Sequence, residues 1–444
     1  MERIAVIGGG MAGMAAAHRL KTAGLEPVVF ERNDRVGGRI WTIEKGGFLM
    51  DLGAAVYLGT YKEAIELIRE VGLGGELREL PGIGSMPRDG KLHDFDYSKP
   101  IRTALTTKAI SPMGKLRMLP LAAMLLGNLK HLGYADYTGI AAVDNETTQS
   151  YSRRALTKEL EQYATEPLVR GTWAADDAES SNALMLWSAK NMLAPTVWSL
   201  DSGMDALARH IAAGVEVRYG AEVENVTDEG TRVEVTAGGK TETFAGAIIA
   251  TTAGPALSMF PQMDANHRTL YENARYRGLI TVALGLGRPP RDKATYILLP
   301  RVEDPDVIAV IADHHKALRR APDNKSMYTL LFSHEYLHRT RDYSEERIIE
   351  EAIACVERYH GKVSDAVEQT QVVRWDEVVP VVGQGAFKRI AGFQDKLDGT
   401  QRVQFASDLD RIPGVNGALV SGLEAAKRIA AGRSAWKQPA LATS

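Results

Sequence analysis

A strand, a glycine-rich turn, a helix and a second strand follow one another at the start of the chain. The apolar run at residues 3–7 (RIAVI) predicts a short buried strand, and the sequence GGGMAG at residues 8–13 follows it directly. An Ala-rich helix is predicted from there to about residue 23, and residues 27–31 (PVVFE) predict a second strand that ends in an acid. This order predicts a βαβ unit of the kind that binds dinucleotides.

Each residue of the turn has its own task in such a unit. Gly8 allows the tight turn off the strand, Gly10 lets the backbone approach a pyrophosphate, and Gly13 lets helix and strand pack closely. The helix begins at Met11 and Ala12, and its first N–H groups are available to phosphate oxygens. All five are therefore predicted to contact the cofactor.

The residues after the second strand distinguish between cofactors. The carboxylate of Glu31 is placed to accept hydrogen bonds from an adenosine ribose. Arg32 follows, and then a glycine pair and an arginine, of which Gly38 adds a second backbone turn and Arg39 a fixed positive charge. A nicotinamide dinucleotide leaves and returns in each cycle and needs no such clamp, whereas a bound flavin does. FAD is therefore the predicted cofactor, and a solvated basic turn is the alternative.

The sequence at residues 6–42 (VIGGGMAGMAAAHRLKTAGLEPVVFERNDRVGGRIWT) resembles the amino-terminal signature of the flavin amine oxidase superfamily. That superfamily includes monoamine and polyamine oxidases, protoporphyrinogen oxidase and the carotenoid desaturases. The similarity continues through residues 46–73 (GGFLMDLGAAVYLGTYKEAIELIREVGL). The resemblance implies that Arg39 lies near the flavin phosphates and that Gly53 and Ala54 lie along the flavin edge.

Two segments in the middle of the chain resemble further motifs of the superfamily. Residues 215–226 (VEVRYGAEVENV) resemble the segment whose valine contacts adenine through its backbone, which implies this role for Val223. Residues 247–252 (AIIATT) resemble an apolar strand that ends in Ala-Thr, here at Thr251, without the glycine that usually follows.

Residues 402–428 resemble the closing flavin motif of the superfamily, a strand that ends in Gly-Asp and is followed by a loop and a helix. This chain has Ser407 before Asp408 in place of the glycine but keeps the carboxylate, whose implied partners are hydroxyls of the flavin chain. Gly417 and Ala418 begin the helix whose N-terminus is implied to face the flavin pyrimidine, where a helix dipole favours negative charge.

The positions of these motifs predict an α/β fold with interleaved domains. A length of 444 residues suggests two to four domains. The motifs place an FAD-binding Rossmann-type domain, of the glutathione-reductase-like kind, at residues 1–79, 200–260 and 376–436. An α+β substrate domain is then expected at residues 80–199 and 261–375, and a polar tail at 437–444.

Charge and composition exclude several classes of function. The formal net charge is −3, with both signs mixed along the chain, so no footprint for nucleic acid is expected. The single cysteine, Cys355, lies at an apolar helical spacing and is predicted to be buried. The chain opens without the pattern of a secretory leader, so a cytoplasmic location is expected. The apolar residues 116–132 predict a buried or interfacial helix and at most a peripheral membrane contact.

The histidines do not complete a metal site in the sequence. His314 and His315 are adjacent, and His334 and His338 share a helical spacing, but no adjacent acid is expected to complete a metal site with them. Solvated or structural histidines are therefore expected, and no metal.

The expected chemistry is transfer of a hydride from a small organic substrate to the flavin. No second glycine-rich fingerprint offers a place for a nicotinamide, so the substrate itself is expected to reduce the flavin, with oxygen or a quinone as electron acceptor. Candidate pocket residues are Tyr57, Trp173, Trp375 and Arg170. Arg170 is expected either to bind a carboxylate or, more simply, to be a surface arginine. No catalytic base is assigned, and the oligomeric state is left open.

Two reactions and one non-catalytic role remain open at this level. Oxidation next to an acidic C–H introduces a C=C bond, as in a protoporphyrinogen oxidase or a desaturase of cyclic ketones, whereas oxidation at a carbon that bears nitrogen gives an imine. The amine oxidases usually carry an aromatic pair before the closing helix, and residues 406–420 contain neither Tyr nor Trp. Introduction of a C=C bond is therefore preferred over amine oxidation. A flavin-binding protein without turnover is the alternative of another class.

Overall fold

The computed structural model describes residues 1–134, 136–193, 196–317 and 319–436. The predicted tail at 437–444 lies outside the described residues. The fold contains both strands and helices throughout the chain, so the predicted mixed α/β class is confirmed.

The strands of the described residues, in chain order, are β1 (Arg3–Ile7), β2 (Glu26–Phe30), β3 (Thr42–Lys45), β4 (Phe48–Asp51), β5 (Tyr57–Leu58), β6 (Leu77–Glu79), β7 (Ile83–Arg88), β8 (Lys91–Asp96), β9 (Val197–Leu200), β10 (Glu216–Arg218), β11 (Val223–Asp228), β12 (Val233–Ala237), β13 (Lys240–Phe244), β14 (Gly246–Ile249), β15 (Tyr276–Leu286), β16 (Tyr296–Leu298), β17 (Val307–Ala312), β18 (Ser326–Phe332), β19 (Val367–Pro380) and β20 (Val403–Phe405).

The α-helices, in the same order, are α1 (Met11–Thr22), α2 (Lys62–Glu70), α3 (Pro100–Thr106), α4 (Pro112–Arg117), α5 (Leu119–Asn128), α6 (Thr148–Ala155), α7 (Lys158–Leu160), α8 (Glu166–Trp173), α9 (Asn182–Leu193), α10 (Ala206–Ala212), α11 (Ala253–Met259), α12 (Ala265–Glu272), α13 (His334–Arg339), α14 (Glu345–His360), α15 (Ala386–Gln394) and α16 (Val415–Trp436). A π-helical segment, Glu161–Thr165, joins α7 to α8.

Five parallel strands form one sheet in the order β10-β2-β1-β14-β20. They come from three stretches that are far apart in the sequence, since β1 and β2 open the chain, β10 and β14 follow residue 215, and β20 lies near residue 405. The helices α1 and α16 pack tightly together, and a Cβ at Gly422 would overlap the carbonyl oxygen of Ala12. The glycine-rich turn therefore lies at the centre of this sheet.

Seven strands form the other large sheet in the order β19-β15-β18-β17-β16-β7-β8. All neighbours are antiparallel except β16 and β7. Strand β19 continues to Pro380, past residue 375, where the sequence predicts the substrate segment to end. Cys355 is buried in the core beside this sheet, as predicted, and burial raises the pKa of its thiol to about 12.

The apolar segment at residues 116–132 is not one buried helix. The chain turns at Met118, between α4 and α5, and Leu116, Leu119 and Leu126 are exposed. Of the two predicted alternatives, the buried helix is therefore wrong for these side chains, because a new helix begins at Leu119 with Pro120 in its first turn, and only part of each helix lies against the core. No helix among the described residues is long and apolar enough to cross a membrane.

Candidate functional site

The turn after β1 adopts a conformation that only glycine tolerates at several positions. Gly8 has a φ of 106°, and its N–H donates to the carbonyl oxygen of Phe30 at 2.8 Å. A Cβ at Gly13 would overlap the carbonyl oxygen of Gly8. A Cβ at Gly10, in contrast, would meet nothing within 4 Å. The turn is therefore closed where α1 packs on β1 and open at the point where α1 begins.

The start of α1 leaves its first N–H groups without a capping side chain. Gly10 precedes the helix in an extended conformation, and Met11, Ala12 and Gly13 form its first turn. The N–H groups of a first helical turn have no partner within the helix, and they attract anions. The residues predicted to contact a cofactor phosphate are thus brought together at one open helix end.

A second glycine turn lies against the first. The N–H of Gly37 donates to the carbonyl oxygen of Gly9 at 2.8 Å, and a Cβ at Gly38 would stand 3.1 Å from the Cα of Gly10. Gly38 has a φ of 57°. We call the two turns, residues 8–13 and 37–39, the glycine cradle.

Glu31 follows β2 directly and closes one side of the glycine cradle. Its carboxylate is buried and accepts from the N–H of Gly9 at 2.7 Å and from Asn33, through N–H at 2.9 Å and Nδ2 at 2.5 Å. A carboxylate offers about four acceptor positions, so one remains for a further donor. The carbonyl oxygen of Glu31 accepts from the N–H of Ala221, two residues before Val223 at the start of β11. The neighbouring Arg32 is exposed.

Arg39 joins three distant parts of the chain at the other side of the cradle. Its NH2 group donates to Asp408 Oδ1 at 2.9 Å and its NH1 group to the carbonyl oxygen of Val378 at 2.7 Å. Asp408 is buried, whereas Arg39 keeps about 30% of its side chain exposed. This leaves part of a fixed positive charge available beside the cradle.

The serine before Asp408 fits the loop without strain. Ser407 is not among the residues with positive φ, its N–H donates to Ser421 Oγ at 2.9 Å, and its own hydroxyl accepts from the N–H of Leu409 at 2.9 Å. Glycine is therefore not required at this position, and the serine hydroxyl holds the loop in its place.

Gly53 and Ala54 lie directly against Arg39. A Cβ at Gly53 would overlap the carbonyl oxygen of Arg39, and the N–H of Ala54 donates to that same oxygen at 3.2 Å. Trp375 approaches from β19, and its Nε1 donates to the carbonyl oxygen of Leu52 at 2.8 Å. The structure thus brings Trp375 to the segment that the sequence predicts for the flavin edge.

The start of α16 is packed as tightly as the start of α1. A Cβ at Gly417 would overlap the carbonyl oxygen of Ile412, and the N–H of Ala418 donates to the carbonyl oxygen of Gly414 at 3.0 Å. A Cβ at Gly414 would lie 3.5 Å from a ring carbon of Trp173 and from Tyr61 Oη.

Asn416 fastens α16 to α2 and is a residue that the sequence did not single out. Its Oδ1 accepts from the N–H of Ala64 at 3.0 Å, and its Nδ2 donates to Glu63 at 2.9 Å. Its position beside the predicted Gly417 is the one sequence signal that pointed to it.

Thr251 lies beside Gly8. Its Cγ2 is 3.4 Å from the position that a Cβ of Gly8 would take.

Three of the four candidate pocket residues are buried and hydrogen-bonded within the protein. Tyr57 is completely buried, and its hydroxyl donates to the carbonyl oxygen of Met204 at 3.1 Å. Arg170 is buried and donates to the carbonyl oxygens of Leu299, Asp304 and Pro305 at 2.7–3.0 Å. The expectation of a surface arginine is wrong, because these carbonyls draw the guanidinium into the interior. Trp173 is buried as well, with its Nε1 on Ser188 Oγ at 2.7 Å.

A group of buried charges surrounds Asp51, two residues before Gly53, and was not predicted. Asp51 immediately precedes Leu52 and Gly53, and its carboxylate binds Lys316 Nζ at 2.8 Å and Arg320 NH1 at 2.9 Å. Burial would raise the pKa of Asp51, but the two cations outweigh it and hold that pKa below its ordinary value. We call Asp51, Asp313, Lys316 and Arg320 the buried charge cluster.

The buried charge cluster also holds neighbouring segments together. Lys316 Nζ contacts Asp313 at 2.9 Å, and Arg320 NH2 donates to Ser199 Oγ and the carbonyl oxygen of Leu200. Thr42 Oγ1 donates to Asp51 at 2.7 Å. No local pattern in the sequence announces these contacts.

The adjacent histidines form a hydrogen-bonded group with a distant acid. His314 Nε2 and His315 Nε2 lie 3.1 and 2.6 Å from Asp292 Oδ1, and Tyr328 donates to Asp292 Oδ2. Among the described residues these three side chains are the one group with the spacing of metal ligands. Both Asp292 oxygens already have protein donors, so hydrogen bonds account for the group, and His314 and His315 are structural rather than solvated.

Comparisons with known proteins agree with this architecture. The model of the family described as flavin containing amine oxidoreductase matches residues 11–430. Protoporphyrinogen oxidase 2 from Arabidopsis thaliana is 29% identical over 177 residues, which are 39% of this chain and 33% of that protein. Polyamine oxidase 3 from Oryza sativa subsp. japonica is 29% identical over 255 residues, 56% of this chain and 51% of that protein. The chain thus spans a third to about half the length of these curated relatives.

Solved structures with the same fold cover nearly the whole chain. A putative protoporphyrinogen oxidase from Exiguobacterium sp. 255-15 superposes with a TM-score of 0.76 and 18% identity over 97% of this chain and 99% of that one. Cyclohexylamine oxidase from Brevibacterium oxydans IH-35A gives a TM-score of 0.77 and 18% identity over 98% and 99% of the two chains. At such identities the similarity shows the fold alone.

Proposed function

The chain belongs to the family of flavin containing amine oxidoreductases, and from this premise we propose that it introduces a C=C bond into a small cyclic substrate. The protein is a flavin oxidoreductase with FAD as its cofactor. What we add is the class of substrate, the bond that is oxidised and the residues that hold the cofactor.

The described residues fit an FAD molecule at the glycine cradle. The open start of α1 at Gly10 accommodates phosphate oxygens, Glu31 keeps an acceptor position for a ribose hydroxyl, and Arg39 keeps part of its charge exposed. The open space at Gly10, where a Cβ would meet no protein atom within 4 Å, beside a helix without a capping side chain, is the observation that carries this assignment. Val223 is proposed to contact the adenine and Asp408 the flavin side chain, and Thr251 is proposed to line the cofactor site beside Gly8.

We also propose that the chain divides into two interleaved domains. The FAD-binding Rossmann-type domain takes residues 1–79, 200–260 and 376–436, and the substrate domain takes residues 80–199 and 261–375. The strand content supports this division, since the five-stranded parallel sheet uses only strands from the first set.

Bound FAD supplies a hydride acceptor at its ring nitrogen N5. The chain's own part is to position a substrate C–H, to exclude water and to hold the cofactor. Trp375, half buried beside Gly53 and Ala54, is proposed as a wall of the substrate space. Oxidation removes a hydride and a proton, so the product carries a new double bond and two hydrogens fewer, and the electrons pass on to oxygen or a quinone.

The surroundings of the closing helix favour a C–C substrate over an amine. The aromatic side chains that approach Gly414 are Trp173 and Tyr61, which are 3% and 6% exposed. Rings buried to this degree do not form an open aromatic cage around an amine nitrogen.

Anaerobic reduction of the bound flavin by a panel of donors tests the proposal. Cyclic ketones and porphyrinogens are expected to bleach the flavin absorbance and to give products that have lost two hydrogens by mass. Amines are expected to leave the spectrum unchanged. Ammonia and a carbonyl product from an amine, without turnover of the cyclic donors, would reverse the assignment to amine oxidation. Failure of every donor would indicate a flavin-binding protein without turnover.

A further inference from the structure

Three consecutive helices expose an unusual amount of apolar side chain. Of the ten large apolar side chains that are most exposed among the described residues, six lie between residues 101 and 126. They are Ile101 and Leu105 on α3, Met113 and Leu116 on α4, and Leu119 and Leu126 on α5, and each is 58–76% exposed. Single exposed apolar residues are ordinary, but a concentration of this kind marks an interaction surface.

The helix α5 shows most clearly that one face has no partner in the chain. Its sequence, LPLAAMLLGN, is apolar almost all round, which is typical of a helix that is buried on every side. Leu121 and Leu125 face the core, whereas Leu119 and Leu126 are exposed. The helices are held together locally, since Lys115 Nζ on α4 donates to the carbonyl oxygen of Leu105 at 2.7 Å.

The charged residues within this stretch of sequence all have one sign, although Asp96 pairs with Lys99 at 3.3 Å and Glu159 accepts from Ser111. The sequence from Tyr97 to Tyr134 contains six Lys and Arg residues and no Asp or Glu, in a chain whose formal net charge is −3. Five of the six are exposed: Lys99, Arg102, Lys108, Arg117 and Lys130. We call these five cations and the six apolar side chains the apolar-basic surface.

We propose that the apolar-basic surface binds the surface of a bilayer that contains anionic lipids. Apolar side chains enter the boundary of the acyl chains, and Lys and Arg contact the anionic headgroups, which is the pattern of helices that lie in the membrane interface. With its 10 residues, α5 is about 15 Å long, so it lies along the bilayer rather than across it.

A second copy of the chain fits this surface less well. A two-fold dimer through the apolar-basic surface would place the same surface on both sides of the interface. The cations of one copy would then face those of the other, without a single acidic residue from this stretch to balance them. An anionic lipid headgroup supplies the negative charge that residues 97–134 do not contain.

Sedimentation of the FAD-loaded protein with lipid vesicles tests the proposal. Vesicles of phosphatidylcholine mixed with phosphatidylglycerol are expected to carry the protein down, and vesicles of phosphatidylcholine alone to leave most of it in the supernatant. High salt is expected to release the bound protein because it screens the cations. An equal distribution with and without anionic vesicles would overturn the proposal.

Two sets of variants separate the apolar and the ionic parts of the surface. The pair Leu119→Glu and Leu126→Glu is expected to weaken vesicle binding about tenfold or more. Each of Arg102→Gln, Lys108→Gln and Arg117→Gln is expected to weaken it about fivefold. The pair Tyr219→Glu and Val302→Glu is the matched control, because both residues are exposed and apolar but lie elsewhere in the chain; it is expected to bind as the wild type does.

Each variant is also checked for bound flavin and for its melting temperature, so that misfolding is not mistaken for lost binding. Vesicle binding that survives the Leu119→Glu and Leu126→Glu pair would overturn the proposal. So would a dimer in light scattering that this pair converts to a monomer, because a second copy would then cover the surface. The test uses no substrate and is independent of the proposed reaction.

Discussion

The glycine cradle and the buried charge cluster lie close together but differ in whether their polar groups have partners within the protein. At the cradle, the start of α1 has no capping side chain and a Cβ at Gly10 would meet no protein atom. In the cluster, Asp51, Lys316 and Arg320 are completely buried and bind one another at 2.8–2.9 Å. Apart from Arg320 Nε and Asp313 Oδ2, their hydrogen-bonding groups have partners in the protein.

Because of this difference, effects on cofactor binding can be separated from effects on the stability of the fold. Polar groups without a partner in the protein are available to bind a ligand. Polar groups that bind one another contribute instead to the stability of the fold. Substitutions in the cradle are therefore expected to change FAD affinity, and substitutions in the cluster to change the free energy of unfolding.

The largest effect is expected from Asp51→Asn. The substitution leaves Lys316 and Arg320 buried without their shared carboxylate, and breaking a buried pair in this way costs about 3–5 kcal/mol. Urea unfolding of the apoprotein measures the loss. Glu368→Gln is the control, since it breaks the half-exposed pair with Lys325 and is expected to cost less than about 1 kcal/mol. Equal losses in the two variants would remove the distinction between the regions.

A smaller effect, on binding rather than folding, is expected from Glu31→Gln. The amide lacks the charge that strengthens a hydrogen bond from a ribose hydroxyl, which is worth about 1.5–3 kcal/mol. FAD affinity, measured by titration of the apoprotein, is therefore expected to fall about 10–100-fold. Glu26→Gln, at the other end of the same strand, is the control and is expected to bind FAD normally. Unchanged affinity of Glu31→Gln would show that the carboxylate does not meet the cofactor.

Glu166 tests whether the closed interior sets a pH dependence of its own. Burial raises the pKa of Glu166 to about 7, because it outweighs the attraction of Arg170 and Arg301. The carboxyl is neutral in the fold at low pH, and its stabilising contribution is lost as the pH rises from its unfolded pKa near 4.5 through about 7.

Glu166→Gln is therefore expected to match the wild type near pH 5 and to be more stable by about 2 kcal/mol near pH 8. Unfolding curves at both pH values measure this, and the exposed Glu350→Gln serves as the reference for charge loss at the surface. A constant difference between the two pH values would show that Glu166 is ionised throughout.

The sequence predicted local features better than long-range ones. The spacing of Gly8, Gly10 and Gly13 predicted the turn. Gly8 and Gly13 are required by their nearest neighbours, whereas Gly10 leaves open space in front of α1. The short strand before Glu31 and the burial of Cys355 were also predicted, because the apolar pattern of each segment indicates them.

The contacts between distant segments could not be predicted from local sequence patterns. Asp51 and Lys316 are 265 residues apart, and nothing near either residue specifies the other. Arg170 was expected at the surface because its partners, three backbone carbonyls, leave no trace in the side-chain sequence. The sequence left open whether residues 116–132 form a buried or an interfacial helix, because an apolar helix without its surroundings is indistinguishable from a buried one.

FAD uptake by Gly10→Val tests the account of the cradle most directly. The backbone is extended at this position and a Cβ would meet no protein atom within 4 Å, and the branched side chain of valine fills the space in front of α1. Gly254→Val, in the first turn of α11, is the matched control, because a Cβ there also meets nothing. Wild type and control are expected to take up about one FAD per chain, whereas Gly10→Val is expected to unfold normally as the apoprotein and to stay colourless. A Gly10→Val protein that holds stoichiometric FAD would contradict it.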